Sequence, residues 1–147
     1  MDITKSREVR CQAIVLKHNS ILIIEHYNSM KHQTFCLLPG GGKEIGETED
    51  ACILRELKEE TNLDVEIIQV LFDEVIHQWG YERYKTYLCI PKPDSIEKIG
   101  QESNHNKQIT KLIWQPLNEE CPEFLSYEQF CPSLTRIKEV LKQLSYL

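Results

Sequence analysis

The chain has 147 residues, 41% of them hydrophobic and 27% charged, the proportions of one soluble globular domain able to bury its own core. A formal net charge of −6 argues against general nucleic-acid binding, which leaves a basic footprint, and no apolar run approaches the ~20 residues of a membrane span. The N-terminus Met1–Lys5 has no apolar signal core, so six dispersed cysteines (Cys11, Cys36, Cys52, Cys89, Cys121, Cys131) read as reduced thiols of a cytoplasmic protein.

Val9–Leu16 alternates and carries β-branched residues, which predicts a strand. His18-Asn19-Ser20 is a turn cluster, and Ile21–Ile24 reads as the returning strand. Tyr27–Gln33 is a polar connection. Phe35–Leu38 is a third short strand, cut off by Pro39 and a glycine-rich turn at Gly40-Gly41-Gly42. A helix is predicted over Glu49–Thr61, then strands over Val65–Val75, Tyr81–Ile90 and Ile109–Trp114, with a loop over Pro91–Lys107. Pro132–Leu147 reads as an amphipathic helix with Leu134, Ile137, Leu141 and Leu144 on one stripe. Helices and strands are interspersed with no linker or repeat. The expectation is a single α/β domain over residues 1–147, a mixed sheet flanked by helices.

The helix at Glu49–Thr61 is the informative element. Thr48 is a good N-cap, Glu49 and Asp50 place negative charge in the first turn, and Asn62 suits a left-handed terminus. At 100° per residue, Ala51, Leu54, Leu57 and Thr61 share a side that can pack on a sheet. Glu56, Glu59 and Glu60, spaced i, i+3 and i+4, converge on a neighbouring face. Like charges there repel by tenths of a kcal/mol per pair, and a hard divalent cation would offset that. Three glutamates on a helix are most often a solvated face. Here, however, a glycine-rich turn brings backbone groups close to them without intervening side chains.

Together these residues resemble the Nudix box. Its pattern is Gly, five residues, Glu, seven residues, Arg-Glu, an aliphatic residue, any residue, Glu-Glu, any residue, Gly, aliphatic. Gly41 leads to Glu47 and then to Arg55-Glu56-Leu57-Lys58-Glu59-Glu60-Thr61-Asn62-Leu63, and every defined position matches except Asn62 for glycine. Asparagine tolerates the left-handed backbone better than other non-glycine residues, so the departure is mild.

The resemblance implies a Nudix-type α/β/α sandwich with a mixed sheet and a hydrolase of nucleoside diphosphates linked to a further group, a (d)NTP or related nucleotide being the default. It implies Mg²⁺ (or Mn²⁺) held by Glu56, Glu59, Glu60 and the backbone carbonyl of Gly40, and a structural pair, Glu47 and Arg55, that holds the glycine loop against the helix. Glu56 is the first choice for the general base, and Glu102 in the following loop is the alternative, ahead of Glu97. The basic residue that many relatives place after the second strand falls near His26. Strand alternation puts Tyr81, Arg83, Lys85 and Tyr87 on one face. With Lys43, the first three are the weaker candidates for substrate contact, against a solvated face or a dimer contact.

Subfamily signals point in different directions. The proline of ADP-ribose pyrophosphatases is missing, since none lies between Leu63 and Pro91, while Tyr81 falls near the tyrosine of diadenosine polyphosphate hydrolases. Two other readings are a nucleotide-sensing module, which would be expected to lose box glutamates, and an RNA 5′-end pyrophosphohydrolase, which would carry more basic surface. The expected partner is a small nucleotide, with neither a membrane nor nucleic acid. A homodimer is compatible with the apolar strands and the C-terminal helix.

Overall fold

Alternation along the first strand decides the layering. The computed structural model describes residues 5–100, 107–118 and 132–147. Within β1 (Lys5–Lys17), Val9, Cys11, Ala13 and Val15 enter one buried cluster, while Ile14 and Leu16 enter another. Successive side chains of a strand point to opposite faces, so the two clusters lie on opposite sides of the sheet. The first holds Cys52, Ile53 and Leu57 of α1 (Glu49–Thr61). The second holds Leu134, Ile137 and Leu141 of α2 (Leu134–Gln143). The fold is thus a mixed sheet between helices, as expected.

The sheet runs β3–β2–β1–β6–β5, with β4 pairing β1 and β7 pairing β2. Its remaining strands are β2 (Ser20–Asn28), β3 (Gln33–Leu37), β4 (Gly40–Glu44), β5 (Val65–Gln78), β6 (Tyr81–Pro91) and β7 (Lys107–Pro116). β1 and β6 pair in parallel and the other pairs are antiparallel. A parallel pair needs a long crossover, and α1 lies within it. His18 and Asn19 both take positive φ (50° and 59°) between β1 and β2, the geometry of a tight two-residue hairpin. Trp79 and Gly80 do the same between β5 and β6.

Three expectations need correction. Gly40-Gly41-Gly42 is part of strand β4, with Gly40, Gly41 and Gly42 opposite Gln12, Cys11 and Arg10. Glycines read as a turn locally, but here they let β4 lie under a helix without side chains in the way. The packing face of α1 is Cys52, Ile53, Leu57 and Thr61; Ala51 is exposed and Leu54 is 41% exposed. The helix is rotated because the Glu56 and Glu60 side must also face inward. In α2, Leu134, Ile137 and Leu141 are buried, but Leu144 is the C-cap and is partly exposed.

Among the described residues, no helix is long and apolar enough to cross a membrane. Cys11, Cys36, Cys52 and Cys89 are free thiols, while Cys121 and Cys131 lie outside the described residues.

Candidate active site

Both ends of α1 are capped by its neighbours in sequence. Thr48 is extended, and its hydroxyl accepts from the Ala51 amide at 3.0 Å. Asn62 takes the left-handed conformation (φ 63°), and its N–H donates to the Lys58 carbonyl at 3.1 Å. The carbonyls of Glu60 and Thr61 then accept from Gly100 and Lys98 at 3.0 and 2.8 Å. Lys98 and Gly100 therefore satisfy the helix terminus, and Gly100 lies against the backbone of Glu59 and Glu60. The Asn62 side chain adds a bond to the Ile96 carbonyl at 3.1 Å.

β4 meets the acidic face of this helix at very short range. The Gly40 amide donates to Glu60 Oε1 at 2.8 Å. A Cβ on Gly41 would lie 2.6 Å from the Glu56 carboxyl carbon, so only glycine leaves room for that carboxylate. Glu56 and Glu60 are each only 3% exposed, whereas the Glu59 side chain is 46% exposed at the rim. Burying two carboxylates one helical turn apart is costly unless each is paired and hydrogen-bonded.

Arg55 does much of that pairing. It forks onto Glu47 (Nη2 to Oε1 2.7 Å, Nε to Oε2 3.0 Å) and donates to Glu56 at 3.0 Å, to Glu59 at 3.2 Å and to the Gly42 carbonyl at 3.2 Å. The hydrogen bond from Arg55 holds the Glu47 carboxyl well below its usual range, at about 2, helped by the Glu44 amide at 2.8 Å. The same partner, Glu47, raises the Arg55 pKa. Glu47, Arg55 and Gly42 thus tie β4 to α1. The repulsion expected among Glu56, Glu59 and Glu60 is offset in this structure by Arg55 and by the Gly40 amide.

The donor set suits a hard divalent cation, being oxygen throughout: two carboxylates withdrawn from water, a third at the rim, and the backbone of Gly40 beside them. Among the described residues no three acidic groups are already gathered round one point, since Arg55 draws Glu56 and Glu59 to itself.

The other candidates separate. Arg83 pairs with Glu49 and with Asp73 (3.0 Å), and Lys85 donates to Glu49 at 2.9 Å. Burial opposes the Glu49 charge, but the bond and charge of Lys85 and those of Arg83 outweigh it and lower its pKa. Tyr87 donates to Asp50 at 2.9 Å. These three residues hold the first turn of α1 against the sheet. Tyr81 parts from them, its ring lying edge-on to Tyr84 at 6.0 Å. Lys43 Nζ donates to the Glu47 carbonyl at 3.2 Å. Glu97 accepts from the Trp114 indole at 3.0 Å, and that bond lowers its pKa. His26 is buried. Glu102 lies outside the described residues.

Sequence reasoning missed Arg10. It is half-buried on β1 and donates to the Leu38 carbonyl at 2.8 Å and to Gln12 Oε1 at 3.3 Å. Burial disfavours its charge, but Tyr81, Glu60, Tyr84 and Glu56 raise its pKa. The signal was present in the alternation, since Arg10 and Gln12 are the two polar residues of the run Val9–Leu16, which is otherwise apolar.

A NUDIX domain model matches residues 6–132. Nudix hydrolase 10 of Arabidopsis thaliana is 31% identical over 93 residues, covering 63% of this chain and 32% of that protein. The ADP-ribose pyrophosphatase of Methanocaldococcus jannaschii is 44% identical over 55 residues, covering 37% of this chain and 32% of that protein. The chain spans 32% to 44% of the length of the first curated relatives it matches. The crystal structure of an ADP-ribose pyrophosphatase from Streptococcus suis superposes with a TM-score of 0.67 at 16% identity, covering 95% of this chain and 92% of that one. At that identity the likeness shows the fold.

Proposed function

The chain belongs to the NUDIX family, and from that premise we propose that it is a metal-dependent pyrophosphohydrolase that cleaves the diphosphate linkage of a nucleoside diphosphate derivative. The observation that carries this reading is the burial of Glu56 and Glu60 against the glycines of β4. A purely structural helix face has no reason to place two carboxylates there, given the desolvation cost.

The metal ligands would be Glu56, Glu59, Glu60 and the Gly40 carbonyl. A bound Mg²⁺ or Mn²⁺ would supply Lewis acidity at phosphorus and an acidified water. Arg55 and Glu47 keep β4 and α1 in register so that these oxygens stay together. Glu56 takes the proton of the attacking water. The alternative base, Glu102, follows Gly100, whose amide is bonded to the Glu60 carbonyl. For the substrate side we assign Tyr81, which lies close enough to Arg10 to act on its charge. Arg83, Lys85 and Lys43 are occupied by Glu49, Asp73 and Glu47 and act structurally. ADP-ribose heads the substrate panel because of the named relatives, followed by the (d)NTPs and diadenosine polyphosphates.

The test is phosphate or AMP release from that panel with Mg²⁺ or Mn²⁺, alongside Glu59→Gln. Nucleotide binding without turnover on any substrate would identify a sensor and reject the hydrolase. Equal turnover by Glu59→Gln would remove Glu59 from the ligand set. Comparing Glu56→Gln with Glu102→Gln in the pH dependence of kcat assigns the base, since only loss of the base removes the acid limb.

A further inference from the structure

Among the described residues, nearly every cation around the box carboxylates is already committed to an acidic or carbonyl oxygen. Arg55 serves Glu47, Glu56 and Glu59, Arg83 and Lys85 serve Glu49, and Lys43 is bonded to the Glu47 carbonyl. Arg10, like Lys43, bonds only neutral acceptors among the described residues, but it is a guanidinium held at two points, the Leu38 carbonyl and the Gln12 amide oxygen. Those bonds use Nη2 and Nε. None of them uses Nη1, although a guanidinium carries five N–H donors.

Its place in the sheet is equally specific. Arg10 stands opposite Gly42 on β4, and the next two pairs are Cys11 with Gly41 and Gln12 with Gly40. Gly41 touches the Glu56 carboxylate and Gly40 donates to Glu60. Antiparallel partners are only about 4.5–5.5 Å apart, so Arg10 lies within a few ångströms of the strand that meets both carboxylates, with no β4 side chain between. The orientation is rigid as well. Gln12 is buried and donates to Thr86 at 3.0 Å across the parallel β1–β6 pair, and the Leu38 carbonyl fixes the other edge of the fork. A half-buried cation held this way, near enough to Glu60 and Glu56 to feel their charge without bonding either, is suited to a polyanion entering beside them, because partial desolvation strengthens the attraction.

We propose that Arg10 binds a non-bridging phosphate oxygen of the nucleoside diphosphate, oriented by Leu38 and the Gln12–Thr86 pair, with the Glu56–Glu60 side of β4 left to the metal. This rests on the hydrolase reading only for the identity of the ligand. An arginine is required rather than a lysine because one planar group must bond Leu38, Gln12 and the phosphate at once.

The test measures calorimetric binding of α,β-methylene-ADP, a nucleoside diphosphate that cannot be cleaved at that linkage, in Mg²⁺, for the wild-type chain, Arg10→Lys and Arg10→Gln, with thermal melting of each. The expected result is a Kd weaker by about 10- to 100-fold in Arg10→Gln, from loss of a charge-assisted bond, and an intermediate value in Arg10→Lys. For any panel substrate that is turned over, KM should rise by a similar factor while kcat changes less. Arg10→Gln binding within threefold of wild type overturns the proposal. So does equal weakening in both variants that tracks an equal loss of Tm, which would mark a structural role, and so does failure of the wild type to bind the analogue. Turnover with unchanged binding in Arg10→Gln sinks this proposal alone. Binding that depends on Arg10 with no turnover on any substrate keeps it and sinks the hydrolase reading.

Discussion

Replacing Gly41 by alanine should damage catalysis far more than folding. The added Cβ would lie 2.6 Å from Glu56 Cδ and Oε1, against about 3.4 Å for an ordinary contact, so the carboxylate must recede by about 0.8 Å. The obstructing atoms are the far end of a side chain, which can move. Gly41 is not among the glycines at positive φ, so alanine also fits the backbone. Overpacking of about 1–2 kcal/mol is then partly offset by the roughly 0.4–1 kcal/mol that alanine removes from the unfolded chain's freedom. A melting temperature within a few degrees of wild type follows. Catalysis has no such relief, because a ligand or base displaced by nearly 1 Å costs on the order of 100-fold in rate. Gly40→Ala is the contrasting control. Its Cβ would lie 2.1 Å from the Cys11 carbonyl oxygen and 2.6 Å from Gln12 Cα at a φ of 154°, where only backbone could yield, and that variant should fail to fold. The assay pairs kcat on the best panel substrate with thermal melting for both variants. A Gly41→Ala protein with wild-type kcat would refute the placement of Glu56 at the reacting centre, and one that cannot fold would refute the claim that its carboxylate yields.

Two further outcomes follow from the caps and charges of α1. Glu47 has a folded-state pKa of about 2 against 4.5 for the free group, a depressed value, so its stabilising contribution is present above about pH 4.5 and disappears as pH falls towards 2. Discounted for solvent screening at its partly exposed carboxyl, this is about 1–2 kcal/mol, and Glu47→Gln should flatten the acid limb of a denaturant-midpoint profile between pH 4.5 and 2. Both Asn62→Ala and Asn62→Gly lose the side-chain bond to Ile96, but only alanine is strained at φ 63°, so Asn62→Ala should lower stability by about 1 kcal/mol and Asn62→Gly should stay within about 0.5 kcal/mol of wild type; urea midpoints of the two variants distinguish them.

How much of this was legible in the sequence depended on the range of the interactions. Helix α1 was read at its observed bounds, because an N-cap threonine, an acidic first turn and a left-handed asparagine are local devices whose physics lies within a few residues. Strands were placed in the right segments but too short at most ends. Tyr27 and Asn28, and Gln33 and Thr34, are polar or half-exposed, and they extend β2 and β3 only because cross-strand hydrogen bonds are available to them. Spacing alone also identified Glu56, Glu59 and Glu60 as neighbours, since helical periodicity requires it.

Only the tertiary structure decided which way that helix faces and what meets it. The apolar count favoured Ala51 and Leu54, but the sheet receives Cys52 and Ile53, and the rotation carries two glutamates inward against glycines that a local reading takes for a turn. Likewise, nothing in Arg83 or Lys85 foretells Glu49, more than thirty residues earlier, and nothing in Arg10 foretells Leu38, because the strand pairing that joins them is non-local. Residue spacing along one helix is set by backbone geometry and is carried by the sequence itself. The position of a cation relative to that helix is set by sheet register, which exists only once the chain has folded.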